Sequence, residues 1–242
     1  MTGPIIVFAG PTLAKTDRPA DPRLDWRPPA QAGDGYAAGE VGPAAVVLID
    51  GLFDAYPAVR HKELLWLMAQ GIAVWGAASM GALRAAELAA FGMRGVGRIF
   101  IAYAAGRLVR DDEVTVLHAP AAAGWAPLTE ALVNVRATLA AAARLGVIDM
   151  AVARRLRQIA ADLHFQDRTW PAILAQAREP DAEALHRWLP EGRIDLKAID
   201  ASACVKAALA APTAARAPQV VETVFTEGLA RQVAEGLRSS PA

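Results

Sequence analysis

Short apolar runs divide the first half of the chain. Three of these runs consist of consecutive apolar residues and are bounded by Gly, Pro or Asp: Ile5–Phe8, residues 46–49 and residues 72–75. Continuous apolar runs are typical of strands that are buried on both faces of a parallel sheet. A fourth run occupies residues 114–117. The pattern therefore predicts four strands.

Helical spacing of apolar residues fills two of the intervals. Residues 57–70 begin at a proline and are followed by Gly71, and residues 80–91 are followed by Gly92. A proline at the start and a glycine after the end mark helix boundaries. Strand, helix and strand in this order predict an α/β fold with a mostly parallel, open, Rossmann-like sheet. Residues 15–43 are rich in Pro, Gly and Asp and are predicted to form a long surface loop.

The second half of the chain has a different pattern. Its segments are rich in Ala and Arg, have helical spacing and are separated by Gly146 and by prolines such as Pro190. They cover residues 129–145, 149–165, 170–178, 182–189, 196–211 and 219–237. We therefore expect an α/β core over residues 1–126 and an all-α C-terminal annex over residues 127–242.

Composition and charge narrow the possible partners. Apolar residues make up 54% and charged residues 21% of the chain, which is typical of a folded domain. The 25 basic and 25 acidic residues cancel, so we expect no nucleic-acid partner. The single cysteine, Cys204, excludes a disulfide framework and a zinc site made of several thiolates. This composition fits a reducing cytoplasm, and we expect no bound cofactor.

Residues 64–83 carry no charge and are long enough to span a bilayer. Gly71, Gly76 and Gly81 interrupt this segment, however, and it divides into a helix end, a strand and a second helix start. The start of the chain also lacks the basic region of a secretory signal. We therefore predict no membrane association.

Candidate chemistry follows the predicted strands. In open α/β sheets, ligands bind beyond the carboxyl ends of the strands. Gly10 and Thr12 follow the first run, Asp50 and Gly51 follow the second, and His118 follows the fourth. Gly10, Thr12 and Gly51 are therefore candidates for substrate binding. Asp50 has two interpretations: it orients an imidazole, or it caps the turn that follows.

The third strand is followed by Ser79 in the pattern Ala77-Ala78-Ser79-Met80-Gly81. This resembles a nucleophile elbow in which the first glycine is replaced by alanine. Ser79 is then the nucleophile, and the Met80 amide faces an oxyanion at a helix N-terminus. A serine in this position also suits an N-cap of the following helix. The spacing alone supports both interpretations.

A serine nucleophile needs a base, and three residues are candidates. His61 shares a helix face with Leu64 and Met68 and lies near the helix N-terminus, where the helix dipole favours neutral imidazole. A half-buried histidine bonded to a backbone carbonyl is the structural alternative. Lys62 is the candidate base instead of His61 if a different face of the helix over residues 57–70 points toward the sheet. His118 is the second candidate base.

Charged residues near the elbow have both structural and functional interpretations. Arg84 and Glu87 form an exposed ion pair, or Arg84 holds a substrate carboxylate. Asp111, Asp112 and Glu113 resemble a hard-cation site but precede the fourth predicted strand, at the wrong edge of a parallel sheet. We therefore expect a solvated turn and no metal.

Together these motifs resemble the TfuA-like family over about residues 4–118. The uninterrupted run from Gly76 to Leu88 is the most specific part. Further motifs that match are Pro28-Pro29 with Gly33-Asp34, Ile49-Asp50-Gly51 with Phe53, Pro57-Ala58-Val59 with His61-Lys62-Glu63, Phe91-Gly92-Met93 with Gly95-Val96-Gly97, and Asp111-Asp112-Glu113-Val114 with His118.

The resemblance implies a role in making thioamides. Members of this family accompany YcaO-type enzymes, which use ATP to activate a peptide amide so that sulfide replaces its oxygen. One implied role is hydrolysis of a sulfur-carrier protein's C-terminal thiocarboxylate, which releases sulfide beside the YcaO enzyme. The other is non-catalytic docking on, or activation of, the YcaO enzyme or its substrate peptide or protein. We favour hydrolysis, because polar groups from several strand ends converge on one crevice.

Overall fold

A computed structural model describes residues 3–52, 56–177 and 181–212. These residues contain a five-stranded sheet in which every neighbouring pair of strands is parallel. The strands are β1 (Ile5–Phe8), β2 (Leu24–Arg27), β3 (Ala45–Leu48), β4 (Ala73–Ala77) and β5 (Arg94–Val96), in the spatial order β2-β1-β3-β4-β5. The predicted α/β class with an open parallel sheet is confirmed.

Nine α-helices surround or follow this sheet within the described residues. They are α1 (Asp34–Glu40), α2 (His61–Ala69), α3 (Met80–Leu88), α4 (Gly97–Ala104), α5 (Leu132–Arg144), α6 (Met150–Asp162), α7 (Trp170–Leu174), α8 (Asp181–Gly192) and α9 (Leu196–Ala210). Seven of them, α2, α3 and α5 to α9, confirm predicted helices to within a few residues, although Pro190 lies inside α8 instead of ending it. The helices α1 and α4 were not predicted. The helix predicted over residues 219–237 lies outside the described residues.

The two faces of the sheet are covered by helices from different parts of the chain. Alternate strand residues such as Ile6 and Val46 pack against the nearby helices α1, α2 and α3. The other alternate set, such as Val7 and Val47, packs against one side of α9. Burial on both faces explains the continuous apolar runs, since each fully buried aliphatic side chain contributes about 1.5–3 kcal/mol.

Two predictions for the first half are wrong. Residues 15–43 are not one long loop, because they contain β2 and α1. Residues 114–117 do not form a strand. Here Thr115 Oγ1 donates to the Asp111 carbonyl and the Leu117 amide donates to Thr129 Oγ1, so local hydrogen bonds replace a sheet ladder. The strand beside β4 is instead β5, which was not predicted.

The second half of the chain is helical, as predicted. α5, α6, α7 and α8 enclose an apolar core of their own, and α9 returns to the sheet. The domain boundary at residue 126 stays a prediction. The uncharged segment 64–83 divides into the end of α2, all of β4 and the start of α3. Within the described ranges, no helix has the length and hydrophobicity needed to cross a bilayer.

The strand order places a crevice beside β1. After β1 the chain moves outward to β2, and it then returns to the other side of β1 to form β3. The loops that leave β1 and β3 therefore diverge, and such switch points are the usual ligand sites of open parallel sheets. Residues 9–12 and 49–52 lie at this point.

Candidate functional site

A strained turn joins β4 to α3 and presents Ser79. Ala78 has a φ of 65°, a left-handed conformation that costs a non-glycine residue about 1–2 kcal/mol. Gly81 packs so closely on β3 that an added Cβ would lie 1.8 Å from the Leu48 carbonyl oxygen. The small residues of the motif therefore fix this turn tightly over the sheet. Strained residues of this kind cluster at functional sites.

Ser79 occupies the N-cap position of α3, but its side chain makes no capping hydrogen bond. The backbone amides of Ser79, Gly81 and Ala82 donate to carbonyl oxygens of Ala77, Ile49 and Ser79, respectively. The Met80 amide has no backbone acceptor within the described residues. A helix N-terminus with an unused amide can donate a hydrogen bond to an anion. The arrangement thus offers a hydroxyl and an oxyanion donor side by side.

Two cavities meet at Ser79. The first, which we call the Ser79 cavity, has a volume of about 200 Å³ and is lined by Asp50, His118 and Lys197 in addition to Ser79. The second, the Arg84 cavity, has a volume of about 330 Å³ and is lined by Arg84 and by the residues Met80, Glu87, Asp111 and Thr115. Ser79, Gly51 and Thr115 line both cavities. Strand ends and helix termini thus bring residues from distant parts of the chain to one place.

Asp50 anchors the loop that follows β1. Its side chain is buried, and Oδ2 accepts hydrogen bonds from the amides of Gly10 and Thr12 at 2.8 and 3.0 Å. Oδ1 accepts a hydrogen bond from Thr12 Oγ1 at 2.5 Å. These contacts engage both carboxylate oxygens. The Asp50 carboxylate therefore shapes the cavity wall, and the predicted binding residues Gly10 and Thr12 are its partners.

His118 lines the Ser79 cavity and has a defined tautomer. Its Nδ1 lies 2.9 Å from the Ala119 carbonyl oxygen, and the ring meets Trp125 edge to face. A carbonyl oxygen only accepts hydrogen bonds, so the neutral ring carries its proton on Nδ1. Nε2 is then left with a lone pair. This is the form in which an imidazole takes up a proton.

The surroundings of His61 and Lys62 differ from those of His118. His61 Nε2 lies 2.7 Å from Glu87 Oε2, and Arg84 Nη1 donates to the same carboxylate oxygen at 2.7 Å. The His61 ring thus meets α3, and its side chain is 45% exposed. Lys62 is exposed. Neither residue lines the Ser79 cavity or the Arg84 cavity.

Lys197 is a site residue that sequence reasoning missed. It is 3% exposed, and its Nζ donates to the Val114 carbonyl at 2.7 Å. Burial lowers the pKa of Lys197, against the attraction of Asp50 and Asp195. One signal was present: Lys197 shares a helix face with Ala201, Cys204 and Ala208, which pack on the sheet. A lysine in line with three buried small residues is unusual.

Acidic side chains of the turn before residue 114 form ion pairs with arginines. Asp111–Glu113 is a single 3₁₀ turn. Asp112 pairs with Arg110 and with the buried Arg168, and Glu113 pairs with Arg136. The described residues contain no cluster of three or more His, Cys, Asp and Glu side chains arranged to hold a metal ion.

Comparison with known families agrees with these motifs. Residues 50–169 match a family model described as TfuA-like protein. The chain belongs to the TfuA-like family. A comparison with curated proteins gave no match.

The TfuA-like segment contains most of the site. It includes Asp50, Ser79 and His118, as well as the cluster of His61 and Glu87 on α2 and α3. The loop after β1 and the helix α9 lie outside it, although both line the Ser79 cavity. Membership of the TfuA-like family is consistent with a role in thioamidation beside a YcaO-type enzyme.

Proposed function

We propose that this chain hydrolyses the C-terminal thiocarboxylate of a sulfur-carrier protein and releases sulfide to a YcaO-type enzyme. That enzyme then places the sulfur in the backbone of a substrate peptide or protein. The main support is the position of Ser79 at the meeting point of two cavities, with its side chain not used as a helix cap. A hydroxyl that only capped α3 would accept a hydrogen bond from the first turn of the helix.

The first half of the reaction forms an acyl-enzyme. Ser79 Oγ attacks the thiocarboxylate carbon, and His118 Nε2 takes the hydroxyl proton. The Met80 amide donates to the substrate oxygen, where negative charge develops. The carbon–sulfur bond then breaks, and the sulfur leaves with the bonding electrons and the proton from His118. The products are an ester on Ser79 and hydrosulfide.

The second half restores the enzyme. His118 takes a proton from water, which attacks the ester carbon, and the bond to Ser79 Oγ breaks as that oxygen regains a proton. The net reaction converts a thiocarboxylate and water into a carboxylate, hydrosulfide and a proton. We choose His118 over His61 and Lys62 as the base because it lines the Ser79 cavity with a free Nε2 lone pair.

Ser79→Ala tests this function directly. We expect sulfide release from a thiocarboxylated carrier to fall at least about a thousandfold, because the nucleophile is lost. The melting temperature should stay unchanged, because the side chain makes no capping bond. Ser202→Ala, on α9, is the matched control and should keep the wild-type rate.

Mass spectrometry adds a second readout. The wild type, quenched during turnover, should carry the carrier as an ester on Ser79, and the alanine variant should carry none. Wild-type rates in Ser79→Ala contradict the enzymatic role. If the wild type itself releases no sulfide but increases the activity of the YcaO enzyme, the docking role is the better account.

A further inference from the structure

A third cavity lies apart from Ser79, beside α4, α5 and α6. It has a volume of about 430 Å³ and shares no described lining residue with the Ser79 cavity or the Arg84 cavity. We call it the arginine groove, because it is lined by Arg98 on α4, Arg107 after α4, Arg136 on α5 and Arg157 on α6. Its described lining residues include no lysine, aspartate or glutamate. The chain as a whole has no net charge, so this concentration of positive charge is local.

Three of the four arginines have no carboxylate partner in the part of the chain that the structure describes. None of the ion pairs there includes Arg98, Arg107 or Arg157. Asp200 attracts Arg98 without forming an ion pair, and its carboxylate accepts a hydrogen bond from the Ile99 amide. Arg157 Nε is buried and has no hydrogen-bond partner within the described residues. Like charges that line one cavity repel each other, so this arrangement favours an anionic partner.

The fourth arginine is held in place by a buried acid. Arg136 Nε and Nη2 donate to the two carboxylate oxygens of Glu113 at 3.1 and 2.8 Å. A guanidinium group has five N–H groups, and Glu113 accepts from two of them. The side chain of Arg136 is 40% exposed, whereas that of Glu113 is 7% exposed. Arg136 is therefore oriented in advance and keeps N–H groups that can bind a carboxylate of a partner.

The groove also has an apolar surface. Ile99, Val133 and Leu196 line it and belong to one buried apolar cluster. Ile101 lines it as well and is 53% exposed. Interfaces between proteins are enriched in arginine and depleted of lysine and of acidic residues, and exposed apolar surface often marks them. The lining of the arginine groove has this composition.

We propose that the arginine groove binds an acidic segment of a partner protein. Carboxylates of the segment pair with Arg107 and Arg157, and its aliphatic side chains pack on Ile101 and on the buried apolar residues beside it. Nucleic acid is the other common polyanion, but single strands are usually held by bases that stack on aromatic side chains. The described lining residues of the groove include no aromatic residue. This interaction does not rest on the proposed hydrolysis, because the groove is separate from both cavities at Ser79.

Fluorescence anisotropy with a labelled peptide of four Glu-Glu-Leu repeats tests the groove. The wild type should bind this peptide, and Arg107→Gln/Arg157→Gln should bind it at least about tenfold more weakly, because charge-assisted hydrogen bonds are lost. Arg144→Gln/Arg154→Gln is the matched control, since it removes the same charge from exposed positions on α5 and α6. The control should bind like the wild type. No binding by the wild type, or equal losses in the two double variants, would overturn the proposal.

Changes in the peptide test the two parts of the groove separately. A peptide of Gln-Gln-Leu repeats should not bind, because it has no carboxylates for the arginines. A peptide of Glu-Glu-Ser repeats should bind more weakly than the leucine peptide, because serine gains little from the apolar surface. An oligothymidylate of the same net charge should not displace the leucine peptide. Equal binding of the serine and leucine peptides, or displacement by the oligothymidylate, contradicts an acidic protein segment as the ligand.

Arginine labelling tests the groove without any variant. Modification of the wild type with phenylglyoxal, followed by mass mapping, reports whether each guanidinium group is accessible. The Glu-Glu-Leu peptide should protect Arg98 and Arg107, which are the exposed arginines of the groove, while Arg144 and Arg154 react equally with and without it. Protection of neither groove arginine, or equal protection of all four arginines, would show that the peptide does not bind here.

Discussion

Ser79 lies between two groups of charged side chains that differ mainly in burial. On the side of the Ser79 cavity, Asp50 and Lys197 are 2% and 3% exposed. On the side of α2 and α3, the side chains of His61 and Glu87 are 45% and 40% exposed. The first group is held by backbone amides and a backbone carbonyl, whereas the second group bonds mainly to itself.

This difference in burial indicates which charged side chains contribute to function or stability and which only form weak contacts at the surface. Water screens exposed ion pairs, so they contribute about 0–1 kcal/mol and tolerate substitution. Buried charges interact strongly with their surroundings, and each must be balanced by fixed donors, fixed acceptors or a ligand. We therefore expect substitutions in the Ser79 cavity to have large effects and substitutions in the α2–α3 cluster to have small ones.

The largest contrast should come from the two histidines. We expect His118→Gln to lower the rate of sulfide release about 100-fold to 10,000-fold, the usual loss for a general base. His61→Gln should keep most of the rate, because His61 lines neither cavity and its ring bonds to Glu87. Steady-state rates with a thiocarboxylated carrier measure both. The reverse result would move the base to α2.

Asp50 should give the second largest effect, this time on stability. Asp50→Ala leaves the amides of Gly10 and Thr12 and the Thr12 hydroxyl without an acceptor, at a cost of at least about 2 kcal/mol. Asp50→Asn should cost less, because the amide oxygen can accept from both backbone amides while its NH₂ group donates to the hydroxyl.

Glu87→Ala is the exposed comparison for Asp50. Its removal breaks contacts to His61 and Arg84, but we expect a loss within about 1 kcal/mol because the carboxylate is half-exposed. Urea unfolding of the three variants and the wild type measures the free energies of unfolding. Equal losses for Asp50→Ala and Glu87→Ala would show that burial does not separate the two groups.

The sequence predicted the central strands of the fold better than its edges. β1, β3 and β4 are buried on both faces, and that environment leaves a continuous apolar run. β2 and β5 are half-buried and include Asp25, Arg27 and Arg94, so no such run marks them. Residues 114–117 have the composition of a strand because Val114 and Thr115 are buried. Side chains instead of a sheet strand bond to their backbone: the Leu117 amide donates to Thr129 Oγ1, and the Val114 carbonyl accepts from Lys197 Nζ.

From the sequence, only those residues of the candidate site that follow a predicted strand could be predicted. Ser79 and Asp50 directly follow predicted strands, and the topology of a parallel sheet brings such residues together. Lys197 could not be placed in the same way, because its position depends on α9 returning to the sheet after four intervening helices. The presence of a residue in a family motif did not by itself indicate a catalytic or binding role either. Glu63 lies in a family motif, yet its buried carboxylate accepts from the amides of Gly33 and Gly35 and holds the start of α1.

The burial of Lys197 also predicts a pH dependence of stability. Burial lowers the pKa of Lys197 in the folded chain below its ordinary value of about 10.4. Between the lowered pKa and 10.4, the unfolded chain holds a proton that the folded chain has released. The free energy of unfolding contributed by this group therefore rises with pH in that window, by at most about 1.4 kcal/mol per pH unit.

Lys197→Met isolates this contribution, because methionine does not titrate. We expect the methionine variant to be more stable than the wild type near neutral pH, and this advantage should shrink as the pH approaches 10. The charged groups near Lys197 are Asp50, Asp195, Glu130 and Arg193; they are present in both proteins, so their contributions cancel in the difference. Lys206→Met, in which an exposed lysine is lost, should follow the wild type at every pH. Urea unfolding between pH 7 and 10 measures these differences, and a constant gap between wild type and Lys197→Met would mean that Lys197 titrates in the folded chain as it does in water.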